Sequence, residues 1–300
     1  MNTTLLINYI DQLRQKRNLR LDVFIENIIS QRQYSRYKKG VNDVPFDVIS
    51  KLSNRLNISL GKVITEFEFS INNEVDEVVK FFNFVVRKQL AQAKQLDTHL
   101  AYRKFINNDI RQYYKISKLL LIYYEQEINQ ETLLNALKKE TRYPNILKNT
   151  SLSEHEIYAL GLIMQYDKNM IPPILEKLLT LNQSDHFTDV KNPYVTILNQ
   201  FFIIKNLGRL KRYEQVIIYA DKTIQFCQES LIHYMLHKIY YYKALAYHYL
   251  DKKELFEAAL KDTIIEALRK PKEEQERFFL MIEKDTKINP KSFIKDKLFK

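Results

Sequence analysis

The chain reads as all-α, and three observations predict it. Only four glycines and seven prolines occur in 300 residues. Apolar residues recur in threes and fours rather than alternating. Capping residues stand at the edges of those apolar stretches, where helices should begin and end.

The elements follow in order. A first helix carries Leu6, Ile10 and Leu13 along one face. A second carries Leu21, Phe24, Ile25 and Ile28 at i, i+3, i+4 and i+7, a full apolar stripe. Ser30 is suited to cap a third, and Gln33 three residues on completes a capping box. Gly40 ends it, since glycine takes the left-handed conformation at C′ without strain. A loop, VNDVP, leads to a fourth helix with Pro45 near its start and Ile49, Leu52 and Leu56 inward. Ser59 opens a fifth, with Leu60, Val63, Ile64 and Phe67 inward. Residues 1–67 are therefore expected to form a compact five-helix domain, with a linker over 68–76.

Residues 77–300 change in texture, to longer helices separated by polar, proline-containing loops. The pattern predicts antiparallel helix pairs stacked as a solenoid. Two stretches support tetratricopeptide-like repeats, with a right-handed superhelix as the architecture. In the first, Leu207, Tyr213, Val216, Ala220 and Ile224 fall at packing positions; in the second, Tyr242, Leu245, Ala246, Tyr249, Leu255, Ala258 and Ile265 do. They lie about 42 residues apart, against roughly 34 in a standard repeat.

Bulk properties narrow the function. The formal charge of +11 favours an anionic partner. Residues 1–66 alone hold 11 Lys/Arg against 6 Asp/Glu, an excess that gives salt-dependent, phosphate-driven affinity for nucleic acid. No apolar run approaches the roughly 18 residues that span a bilayer. The amino terminus is amphipathic and lacks the layout of a signal peptide. A single cysteine, Cys227, allows no internal disulfide framework. A cytoplasmic protein is expected.

The constellation that carries chemistry is the stretch from Ile29 to Gly40, "ISQRQYSRYKKG". A second helix, a short turn and a capped, polar and basic third helix make the sequence form of a helix-turn-helix. Tyr34 and Tyr37 turn inward and lock the helix in place. The other face is then free to enter a major groove about 12 Å wide. Gln31, Arg32, Gln33 and Arg36 are expected at base edges, because Arg pairs with guanine and Gln with adenine in bidentate fashion. Lys38 and Lys39, with Arg17 at the end of the first helix, suit phosphates. Gln33 is needed both by the cap and by the groove.

These residues resemble the DNA-binding domain of the Xre/Cro family, whose five-helix unit contains a stretch ending S-R-aromatic-x-x-G. Here that signature is Ser35-Arg36-Tyr37-Lys38-Lys39-Gly40. The turn between Ile28 and Ser30 is one residue shorter than the family's and lacks its glycine. With the helical repeats behind it, the whole chain resembles the Rgg and RNPP regulators. That resemblance implies a homodimeric transcription factor on an inverted-repeat operator, gated by a short signalling peptide in the repeat domain. Within the repeat frame, Lys205, Lys243 and Tyr247 are the positions expected to face that peptide.

Other residues read as structural. His233 and His237, in "HYMLH", stand at i, i+4 as zinc ligands can, but the intervening Tyr234 breaks the H-E-x-x-H pattern and no third ligand is near in sequence. Neither a metal nor an organic cofactor is expected. Cys227 reads as a packed small side chain, and the tyrosines between 240 and 249 as inter-helix packing. No Walker loop, dinucleotide fingerprint or G-x-S-x-G occurs, so the chain is not expected to be an enzyme. The competing expectation is a helical-repeat scaffold or adaptor whose basic head binds DNA only non-specifically.

Overall fold

The structure is a computed structural model and describes residues 3–183 and 192–297. Every regular element among the described residues is helical. The chain divides into two compact units, Met1–Glu127 and Ile128–Lys300.

The first unit begins with the five expected helices: α1 Thr3–Lys16, α2 Leu21–Ile25, α3 Gln31–Lys38, α4 Phe46–Arg55 and α5 Leu60–Val86. Leu6, Ile7 and Ile10 of α1, Phe24 of α2, Tyr34 and Tyr37 of α3, Ile49 and Leu52 of α4, and Val63 and Phe67 of α5 close one core. Two boundaries differ from expectation. Helix α2 stops at Ile25, and Ile28 packs on the core from the turn instead. Residues 68–76, expected as a linker, lie in the middle of α5, which runs unbroken for 27 residues. The reason is that α5 stays apolar on one side past Phe67, burying Val78, Phe81, Phe82 and Val85. It packs against α6 Leu90–Leu100 and α7 Asn108–Tyr124. The loop between those two helices returns to the head. Its Ile106 joins the head core, and the buried Glu74 carboxylate of α5 accepts the Ile106 N–H at 3.0 Å.

The second unit holds α8 Gln130–Glu140, α9 Glu154–Tyr166, α10 Ile171–Gln183, α11 Pro193–Arg209, α12 Tyr213–Glu229, α13 Leu236–Tyr249, α14 Lys253–Leu268, α15 Lys272–Thr286 and α16 Pro290–Lys297. Most of the polar, proline-containing stretch 182–193, which the sequence pattern makes a loop, lies outside the described residues. Ser153 and Glu156 form a capping box before α9, the Ser153 N–H donating to the Glu156 carboxylate at 2.9 Å.

Successive hairpins repeat closely. Val216, Ala220, Thr223, Ile224 and Cys227 of α12 are buried, and so are Phe256, Leu260, Thr263, Ile264 and Ala267 of α14, at a constant offset of about 40 residues. Both threonine hydroxyls donate to the carbonyl four residues back, of Tyr219 and Ala259. The turns between paired helices match as well, with Lys211 and Asp251 both at positive φ. This register corrects the sequence frame in α14. Leu255, Ala258 and Ile265, expected inward, are exposed, and their neighbours Phe256, Ala259 and Ile264 fill the core. The cause is the matched turn: it starts α14 at Lys253, so Phe256 takes the place that Val216 has in α12.

Candidate nucleic-acid interface and ligand cavity

Helix α3 is fixed at both ends and along one side. Ser30 has extended backbone, and its Oγ accepts the Gln33 N–H at 3.2 Å. The reciprocal half of the expected capping box is not made. The Gln33 side chain donates to the Tyr37 hydroxyl at 2.8 Å instead, one turn onward along the helix. At the far end Gly40 takes φ 69°, with the Gly40 N–H on the Tyr37 carbonyl and the Val41 N–H on the Arg36 carbonyl. These two bonds are a Schellman motif.

The inward face is held by a group that sequence reasoning missed. Asp11 of α1 is buried, and four side chains converge on its carboxylate. The Tyr34 hydroxyl donates at 2.9 Å, Arg14 Nε at 2.8 Å, Gln15 Nε2 at 3.0 Å and Lys38 Nζ at 2.5 Å. Burial alone would raise the Asp11 pKa, yet the donors and the charge of Lys38 outweigh it and hold the carboxyl below its ordinary range. Burial beside that carboxylate raises the Tyr34 phenol. Tyr34 also meets Phe24 edge-on at 6.2 Å, which ties α3 to α2.

The turn before α3 is completed without glycine. Asn27 takes φ 58° there, a conformation that Asn tolerates better than most residues. Arg55 reaches across from α4 and donates to the carbonyls of Val23 and Glu26 at 3.0 and 2.9 Å, satisfying the end of α2.

These bonds sort the basic residues of the head. Arg17 donates to the Leu56 carbonyl, and so joins the ends of α1 and α4. Lys38 is half-buried on Asp11. Two of the three expected phosphate contacts, Arg17 and Lys38, are therefore engaged in holding the head together. Gln31, Arg32, Gln33, Arg36 and Lys39 are exposed and share the outward side of α3. Arg36 leans on Asn42 at 3.1 Å.

In the second unit, α11, α12 and α13 line an open cavity of about 200 Å³. Its lining includes Lys205, Arg209, Tyr213, Tyr242, Leu245 and Tyr249. Of the three expected ligand residues, the cavity brings in Lys205 alone. Lys243 pairs with Asp221 of α12 at 2.6 Å, and its ammonium also covers the Tyr247 ring. Residues one repeat apart explain this: Lys205 corresponds to Leu245, which does line the cavity, whereas Lys243 corresponds to the buried Ile203.

The histidine pair does not lie on one helix face. Met235 takes φ 61° and α13 starts after it, which leaves His233 outside the helix against Glu266. His237 is buried edge-on against Phe278 at 4.9 Å, and burial lowers its pKa to about 3. No group of three or more metal-ligating side chains occurs among the described residues. The Cys227 thiol is buried, which pushes its pKa up to about 12. No helix among the described residues is long and apolar enough to cross a membrane.

No family model and no curated protein matches the chain. Solved structures do. ComR of Streptococcus vestibularis in complex with its signalling peptide XIP aligns at a TM-score of 0.54 and 16% identity, over 95% of this chain and 99% of that one. PlcR of Bacillus thuringiensis in complex with the peptide PapR7 and DNA aligns at 0.51 and 16%, over 91% and 96%. The apo form of PlcR aligns at 0.52 and 13%, over 96% and 98%. The chain therefore has the fold of the Rgg/RNPP-type regulators that its sequence resembles.

Proposed function

We propose that the chain is a sequence-specific, DNA-binding transcriptional regulator of the cytoplasm, a homodimer gated by a short signalling peptide held in its helical-repeat region. The observation that carries this reading is the division of α3 into two faces. Tyr34, Tyr37 and Lys38 are anchored inward, two of them on Asp11. Gln31, Arg32, Gln33 and Arg36 stand outward on a helix whose position is thereby fixed. A rigid helix with bidentate donors on its free face is what major-groove reading requires. Lys39 would add a phosphate contact. The likeness in fold to PlcR, solved with a peptide and DNA, and to ComR, solved with its signalling peptide, supports the gating.

The adaptor reading rested on the shortened turn. Asn27 and Arg55 complete that turn, so the missing glycine no longer argues against groove entry.

Footprinting on the upstream DNA of candidate target genes tests the proposal. A two-fold-symmetric protected site is expected. Arg36→Ala should cost about 1–3 kcal/mol there and little on random DNA, as loss of a base contact does. Equal losses on both would make Arg36 a phosphate contact, and absence of any symmetric site would overturn the regulator reading.

A further inference from the structure

Of the four residues expected at base edges, two are held by the head and two are not. Arg36 Nη2 donates to Asn42 Oδ1 at 3.1 Å, and Gln33 Nε2 donates to the Tyr37 hydroxyl at 2.8 Å. Gln31 and Arg32 have no such partner among the described residues. Neither bond serves the fold as the other arginine bonds do. Arg17 and Arg55 donate to backbone carbonyls and so satisfy helix ends. Arg36 and Gln33 donate to side chains instead, and both stay exposed. A bond of that kind adds little to stability, since water competes for the same groups. It does remove rotamers that a free side chain would sample.

The partners are themselves anchored. Tyr37 is buried in the head core. Asn42 lies in the loop after α3, and that loop is tied to the start of α1. Thr3 Oγ1 donates to Asp43 Oδ1 at 3.1 Å and accepts the Val44 N–H at 3.3 Å, and Val44 is buried. The Schellman bonds at Gly40 and Val41 fix the loop's other end, so Asn42 stands between two fixed points.

The groups left over are those that groove reading needs. An arginine offers donors alone, so Asn42 turns its oxygen toward it. The other Nη2–H, with those of Nη1, remains for guanine O6 and N7. The Gln33 amide gives one Nε2–H to Tyr37 and keeps the second beside its Oε1, the pair that fits adenine N7 and N6.

We propose that Asn42 and the Tyr37 hydroxyl are positioning residues for DNA reading. They aim Arg36 and Gln33, and make these two, rather than Gln31 and Arg32, the sharpest readers of operator sequence. The proposal rests on the regulator reading above and adds which side chains set its specificity. A side chain already held in its bound direction avoids an ordering cost of roughly two- to tenfold in affinity. The benefit falls on the matched base, because a wrong base leaves the aimed donors without acceptors.

The test selects operators from a randomised duplex library with the full chain at low salt, and scores base preference at each position. Arg36→Ala and Gln33→Ala assign each residue to its base pair. Asn42→Ala should lower the preference at the Arg36 position by about three- to tenfold and leave the other positions unchanged. On an Arg36→Ala background the same substitution should do nothing further. Asn42→Asp keeps the acceptor, so it should restore the preference while weakening binding to all DNA. Tyr37→Phe should act in the same way at the Gln33 position alone. A uniform loss across the site would make both groups structural, and unchanged preferences would make them idle. Either result overturns the proposal and leaves the regulator reading intact. A second measurement needs no DNA. Side-chain ¹⁵N relaxation should show Arg36 Nε and Gln33 Nε2 ordered in the wild type, with Gln31 and Arg32 mobile. Asn42→Ala should release the first and Tyr37→Phe the second. A chain that selects no operator overturns the regulator reading. The positioning is then decided by relaxation, where equal mobility of all four side chains overturns it as well.

Discussion

Asp11 in the head and Lys205 in the repeat region are both charged groups withdrawn from water, and their neighbours differ in sign. Around Asp11 the chain supplies Lys38, Arg14 and the Tyr34 hydroxyl, and these overcome the burial that would otherwise raise its pKa. Around Lys205 it supplies Arg209 and Lys238, so burial and charge push the same way. The first centre is complete within the fold, and its work is to hold α3 in place. The second gathers like charge, and the Lys205 ammonium donates to the neutral Gln165 amide at 2.8 Å. Whether a buried charge is held or pushed toward neutrality thus depends on what stands beside it.

The comparison is most directly broken at Asp11. Removing one partner of a buried ion pair costs about 3–5 kcal/mol, because the remaining groups stay withdrawn from water without their counter-charge. Asp11→Asn should fall near the lower end, about 3 kcal/mol, since Lys38 is partly exposed and can turn to solvent. Urea unfolding of the full chain measures it. Lys205→Met should change stability little, because the repulsion it relieves offsets the hydrogen bond to Gln165 that it removes. The acid limb sharpens the contrast. A carboxyl held below its unfolded value adds stability that is full above about pH 4 and drains away as pH falls through the folded value. Asp11→Asn should flatten that limb. A depressed lysine does the reverse: the wild type should gain stability as pH rises from about 8 through the ordinary lysine range, and Lys205→Met should not. Equal losses from both variants would show that the two centres do the same work.

How much of this could be read from the chain depends on how far the deciding contact lies in sequence. Ser30 and Gly40 act through neighbours within a few residues, and Tyr34 and Tyr37 stand at helical spacing, so helix α3, its cap and its inward face were legible. Asp11 was not. On an amphipathic helix a lone acid among Gln and Arg looks like solvated surface, and its burial depends on α3, which arrives 23 residues later. The bond that Arg17 makes within the head was missed for a related reason. In a basic head every arginine resembles a phosphate contact, and the carbonyl of Leu56 that claims Arg17 is visible only once α1 and α4 meet. The repeats were legible as a class, because periodic apolar positions survive a small error in register. The phase within α14 was not, because the three-residue turn that starts it early looks in sequence like an ordinary polar break.

The middle-sized effect concerns how firmly the repeat region holds the cavity. Gly161 of α9 lies directly against the Phe202 ring of α11, and a Cβ there would stand 2.2 Å from a ring carbon. Two helices that line up this closely leave no room for an ordinary side chain. Overpacking of that kind costs about 1–3 kcal/mol. Gly161→Ala should therefore lower the unfolding midpoint of the repeat region while leaving the head's DNA affinity intact. Matching losses in both functions would mean that the two units do not carry their roles separately. No change at all would mean that Phe202 moves aside freely, and that the inner helices are looser than their packing implies.

The smallest effect lies in how each region ends its helices. In the head, the left-handed positions that close α1, α2, α3 and α4 are Asn18, Asn27, Gly40 and Asn57. Past the head the same conformation closes helices at Lys88, Gln126, Arg142, Lys211, Leu231, Asp251 and Lys287. A side chain without a local hydrogen bond costs about 1–2 kcal/mol in that conformation. Lys211→Gly removes this strain but adds about 0.4–1 kcal/mol of freedom to the unfolded chain. The net gain expected is roughly 0.5–1 kcal/mol. Leu231→Gly should gain similarly, for Leu231 is 86% exposed and loses little packing. Asn27→Gly should change stability by no more than a few tenths, because Asn already tolerates the conformation. Differential scanning calorimetry on the three variants compares them. A loss of stability for Lys211→Gly would show that its side chain makes a contact worth more than the strain, and the repeat turns would then be as well fitted as those of the head.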